Sequence, residues 1–136
     1  MDMNHKHKVT IQMESVWEEE RTLQLAEGIL FERPDSWFLR FEEPESEYGV
    51  VTTTVKCTQH QIKLMRRGGV ESDMIFEVGV THQGFYTTPL IHLELETITT
   101  EILVEIQEGK GRLIWAYMLN AQDDLSSLRR VTVWLS

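Results

Sequence analysis

Few side chains in this 136-residue chain are grouped as chemistry would require, and the arginines come nearest. Arg66 follows Ile62 and Leu64 at even spacing. On a strand such residues share a face, so its guanidinium would turn inward near one rim while Arg67 turns out. A guanidinium presents paired donors in a rigid fork that fits a carboxylate or phosphate. Arg66, with Arg112, is therefore the candidate anchor for an acidic head group. The competing reading is a turn arginine in solvent, or one paired with one of the many glutamates.

Other reactive groups carry less. Cys57 shares parity with Val51 and Val55 and reads as a small buried thiol with no recognisable histidine partner. As the sole cysteine it cannot form an internal disulfide, which fits a reducing compartment. The five histidines lie at positions 5, 7, 60, 82 and 92. Only His5 and His7 are close, and a preformed metal site needs more ligands held in place. His92, out of phase with Ile91 and Leu93, is expected to face solvent. No nucleophile, base and orienting group occur together, so the expectation is a protein that is not an enzyme and carries no cofactor or metal.

Positioning these residues falls to strands. From Val9 onward apolar side chains fall on alternate positions, with glycine or proline where the runs break. This is the imprint of antiparallel strands with one wet and one buried face. Val9, Ile11 and Met13 open the series, and Glu18-Glu19-Glu20 reads as a hairpin loop. Leu23, Leu25, Ile29 and Phe31 set the parity of the second run, with Gly28 placed for a bulge or a close backbone approach. Arg33-Pro34-Asp35-Ser36 reads as a tight turn before Trp37, Leu39 and Phe41. Val50 to Cys57 is rich in β-branched residues.

Ile62 and Leu64 lead into a turn signal at Arg66-Arg67-Gly68-Gly69, and Met74, Phe76, Val78 and Val80 return. His82-Gln83-Gly84 is read as a break. Ile91, Leu93 and Leu95 hold odd parity but Ile102, Val104 and Ile106 hold even parity, so a register change, either a bulge or a tight turn, must lie within Thr97-Ile98-Thr99-Thr100. Glu108-Gly109-Lys110-Gly111 is the clearest hairpin tip, followed by Leu113, Trp115, Tyr117 and Leu119. Gln122 to Leu128 is read as one helical turn capped by Asp123 or Asp124. Val131, Val133 and Leu135 close the chain.

Eight to ten strands on short loops must dispose of their edges, and closure into a barrel removes them. The expected fold is all-β: a closed antiparallel up-and-down barrel spanning Val9–Ser136 behind a flexible tail, Met1–Lys8. A β-sandwich is the alternative. Trp37, Leu39, Phe41, Phe76, Trp115 and Tyr117 share the inward parity of their strands. They would either fill the interior or line a cavity for a small apolar or amphipathic ligand. The outward set Phe38, Leu30, Ile75, Ile114 and Met118 tests the alternative function, an interaction or homo-oligomerising module with a solid core.

Thirteen basic against twenty-two acidic residues give a formal charge of −9, which disfavours a nucleic-acid partner. Met1–Lys8 lacks the apolar core of a signal peptide, and no run nears the ~20 apolar residues of a membrane span. A cytoplasmic protein with no membrane partner is the expectation.

Met65-Arg66-Arg67-Gly68-Gly69-Val70, Phe76-Glu77-Val78-Gly79, Leu93-Glu94-Leu95-Glu96-Thr97, and Gly109-Lys110-Gly111-Arg112 with Ala116-Tyr117 together resemble the YwiB-like family of small bacterial proteins. The resemblance runs over nearly the whole chain. It implies a calycin or lipocalin-like barrel, a cytoplasmic protein of Bacillus-type bacteria, and a family without assigned function or catalytic residues. Where secreted lipocalins carry Gly-x-Trp on the first strand, this chain has Ser15-Val16-Trp17.

Overall fold

A computed structural model describes residues 5–43, 47–121 and 127–136. Among these the chain forms β1 (His5–Trp17), β2 (Glu20–Glu32), β3 (Trp37–Glu42), β4 (Val51–Cys57) and β5 (Gln61–Gly68). It continues through β6 (Glu71–Glu77), β7 (Thr81–Thr87), β8 (His92–Gln107), β9 (Lys110–Ala121) and β10 (Ser127–Leu135). Each strand pairs antiparallel with its sequence neighbours, and β1 with β10 closes the barrel. Strands therefore alternate in direction, giving two ends. One, the floor, holds the β2–β3, β4–β5, β6–β7 and β8–β9 turns; the other, the mouth, holds the remaining connections.

The floor half is packed solid. Leu30, Trp37, Leu39, Val55, Cys57, Ile62, Phe76 and Leu113 are buried there in one cluster. Phe76 reaches across the interior to Trp115 (ring centroids 5.6 Å) and Tyr117 (4.5 Å), tilted contacts that add to the burial of large rings. The β8–β9 tip seals this end: Gly109 N–H donates to Glu32 Oε1 at 3.1 Å. A Cβ on Gly109 would lie 2.7 Å from the His7 ring, and its φ of +78° is one that L side chains rarely adopt.

The register change expected within Thr97–Thr100 is a bulge between Thr99 and Glu101 in one continuous strand, β8. It carries the inward set from Leu95, Thr97 and Thr99 to Ile102, Val104 and Ile106. Ahead of it Thr97 Oγ1 donates to the Ile75 carbonyl at 2.7 Å, tying β8 to β6.

Other local readings are corrected. The inward parity of β2 is even: Leu30 is 0% exposed, whereas Leu23 and Leu25 are 52% and 61% exposed. Gly28 fixes this, since a Cβ there would stand 2.5 Å from the Arg40 carbonyl oxygen and 2.9 Å from both Ile11 and Phe41 side chains. Leu30 thus leaves the outward set. Of the rest, Ile114 is buried on the outer face and Phe38 is half-covered by Arg33 and Lys56, whose cations stand 4.7 and 5.4 Å from its ring.

His82-Gln83-Gly84 does not break the sheet but lies inside β7, where Gly84 lets the strand pass against the Asp73 carbonyl. Val78 and Val80 are exposed beyond the end of β6. Arg66 and Arg67 belong to β5 and not to the turn, which turns instead at Gly69 and Val70. β1 begins at His5 because β2 continues alongside it to Glu32. Of the expected helical turn, residues 122–126 lie outside the described residues, while Ser127 and Leu128 are strand.

Candidate ligand site at the barrel mouth

Above Phe76 the interior opens. A cavity of about 240 Å³ lies between the packed half and the mouth. Its apolar wall is Met13, Phe41, Leu64, Met74, Trp115 and Val131, and its polar groups are Ser15, Gln24, Thr53, Tyr117, Arg129 and the Arg66–Glu43 pair. A second hollow of about 260 Å³ shares Gln24, Glu43 and Arg66 with it and adds Glu47, Tyr48, Val70 and Tyr86. The inner cavity is amphipathic, six apolar side chains against seven polar ones, and the outer hollow is lined almost wholly by polar groups. The inner cavity falls below the ~300–1,000 Å³ of drug-sized pockets. A third hollow, about 430 Å³ over Lys8–Thr10 and Glu27–Ile29, lies along the paired β1–β2 hairpin. None of the potential anchors lines it.

Arg66 points inward, as its parity requires, but its charge is already used. Its Nε donates to Glu43 Oε2 at 2.6 Å and its Nη2 to Oε1 at 2.7 Å. Thr53 Oγ1 donates to the same carboxylate at 2.6 Å. Burial by itself pushes the Glu43 carboxyl up; the hydrogen bonds from Arg66 and Thr53 and the guanidinium charge outweigh it and hold the group below its ordinary value. The pair is thus a fixed, neutral piece of wall.

Arg129 is differently placed. It shares the inward parity of Val131, Val133 and Leu135 at the mouth end of β10. Directly opposite it stand Trp17 on β1 and Tyr117 on β9. Its guanidinium carbon lies 4.5 Å from the centre of the Trp17 ring, and Nε donates to Ser127 Oγ at 3.3 Å. No carboxylate among the described residues pairs with it. Burial pushes the Tyr117 phenol up, and the nearby Arg129 charge opposes that shift. One layer below, Trp115 is 1% exposed and its indole N–H has no acceptor among the described residues, an uncommon state for a buried tryptophan.

Of the residues marked out by sequence, Arg66, Phe41, Trp115 and Tyr117 come together around this cavity. Trp37, Leu39 and Phe76 are buried beneath it and pack the floor. Arg112 does not join them. It lies toward the opposite end on the outward parity, half-exposed, donating to Glu105 Oε1 at 2.8 Å. Arg129 lies outside the Val131, Val133 and Leu135 run that marks the closing strand in sequence; the same alternation carried back two residues puts this arginine inside.

Fold and site define a small closed-barrel protein with a solid base and a cup at one end. The chain belongs to the family of the domain of unknown function DUF1934, whose model matches residues 7–133. It is 27% identical over 135 residues to the uncharacterized β-barrel protein YwiB of Bacillus subtilis (strain 168), covering 96% of this chain and 94% of that protein. The crystal structure of the ywiB protein from Bacillus subtilis matches it with a TM-score of 0.85 at 26% identity, over 100% of this chain and 94% of the other.

Proposed function

We propose that the mouth cavity binds a small amphipathic anion, its apolar part against Phe41, Leu64, Met74 and Trp115 and its acidic group on Arg129. The observation that carries this reading is the arginine itself. A partly buried guanidinium facing an interior is normally paired, and here, among the described residues, only an aromatic face and a hydroxyl satisfy it. Trp17 supplies cation–π stabilisation of about 0.5–2 kcal/mol, and the two-pronged donor face remains open to a carboxylate or phosphate. Arg66 contributes shape and not charge. The protein is read as a cytoplasmic binding barrel of calycin type, without catalysis.

Trp17 and Trp115 border the site and report on it. Titrating the protein with hexanoate and octanoate, with octanol as the uncharged control, should give a saturable change in tryptophan fluorescence for the acids. Arg129→Gln should weaken the acids by about tenfold or more while leaving octanol unaffected, since a charge-assisted bidentate pair is worth that much. Absence of saturable binding, or equal affinities in the variant, rules the reading out.

A further inference from the structure

The β1–β2 hairpin outruns the rest of the sheet. β2 pairs with β1 from Glu20 to Glu32 but with β3 only over Gly28–Glu32. Among the described residues no strand pairs with the outer edge of β2 from Glu20 to Glu27, and no loop or turn backbone bonds to it. Such an edge presents a row of unpaired N–H and C=O groups, a template for a further strand. Its outward side chains, Arg21, Leu23, Leu25 and Glu27, are all exposed.

We propose that a second copy of this chain occupies that edge, β2 against β2, antiparallel about Gln24. In this register Arg21 faces Glu27 of the partner subunit and Leu23 faces Leu25 of the partner subunit. The two-fold symmetry repeats both pairs. Every outward side chain thereby meets its complement: two opposite-charge pairs flank four leucines that are exposed in the single chain. Neighbouring registers do worse. Setting Leu23 against Leu23 places Arg21 opposite a leucine, and setting Leu25 against Leu25 places Leu23 opposite Glu27 and runs Arg21 onto Ile29, where β3 already holds the edge. Arg21 also pairs with Glu14 in its own hairpin, so in the dimer its charge lies between two carboxylates. Gln24 lines both mouth hollows, which puts the symmetry axis beside the cups. The dimer stands independently of what they bind.

Sedimentation equilibrium of the full chain should show a reversible dimer. Arg21→Glu or Glu27→Arg alone sets like charges opposite each other twice and should raise the dissociation constant about tenfold or more. The double variant R21E/E27R restores both pairs and should recover the dimer, with circular dichroism and thermal melts verifying that each variant is folded. Register is read separately by cross-linking. The native Cys57 is buried, so Gln24→Cys, whose Cα would stand about 4.5–5.5 Å from its symmetry mate, should form a covalent dimer under mild oxidation. Leu25→Cys, offset from its own mate by a diagonal of about 7–8 Å, should not. A monomer at all concentrations, a double variant that fails to recover association, or Leu25→Cys linking as readily as Gln24→Cys would each overturn the proposal.

Discussion

Arg129 and Trp17 face each other across β10 and β1, with the guanidinium carbon 4.5 Å from the centre of the indole ring. In the row below, Val131 stands between Ser15 and Trp115. The contact therefore sits near the mouth, one inward row below Ser127 and Leu119, where a cation is held by an aromatic face instead of a carboxylate. Replacing Trp17 by Leu removes this support while keeping an apolar residue. A loss of about 0.5–2 kcal/mol is expected in urea unfolding, and Arg129→Gln in the same background should add little, because the two changes remove one interaction.

The even parity of β2 makes a sharp comparison. Leu30 lies in the core and Leu25, on the same strand, on the outer face. Leu30→Ala should cost about 2–5 kcal/mol in urea or thermal unfolding, and Leu25→Ala no more than about 0.5 kcal/mol at concentrations where the chain is monomeric. Similar losses at both positions would be incompatible with the register described.

Glu43 is an acid whose native pKa lies below its ordinary value of 4.5. Its contribution is complete above that value and is lost as pH falls through the lower native one. Glu43→Gln leaves Arg66 with a weaker partner and should cost about 1–3 kcal/mol at pH 7. The variant should also show a flatter loss of stability on acidification, seen by repeating urea unfolding between neutral pH and pH 3.

Burial pushes the Cys57 thiol up from 9.0 to about 12. Because the folded chain holds this proton more tightly than the unfolded one, the associated stability is intact below pH 9 and drains away as pH rises from there towards 12. A thiol reagent at pH 8 should label the chain in urea and leave the native protein unmodified, since the thiolate is the reactive form.

What the sequence revealed depended on how strongly each segment alternates. β3, β4 and β9 carry bulky apolar residues on one parity, which marks Trp37, Leu39, Phe41, Trp115 and Tyr117 as inward, where they lie. The change of phase in β8 locates a register change, and the structure makes it a bulge and not a turn. β2 misled because its inward residues over the first half, Thr22, Gln24, Ala26 and Gly28, are small or polar while its leucines face out. β7 was hidden for a related reason: Gly84 allows close approach of a neighbouring strand but leaves no side chain to mark a face. The Arg66–Glu43 pair joins residues 23 positions apart, a separation that alternation along one strand cannot encode. A division of labour between aromatic filling and a cavity was equally out of reach, because it depends on height along the barrel and not on parity.

Gly109 bonded to Glu32 turns the interior into a cul-de-sac. On the proposed reading, a guest in the cavity lined by Arg129 and Tyr117 would come and go from the mouth side, a geometry suited to holding cargo rather than conducting it.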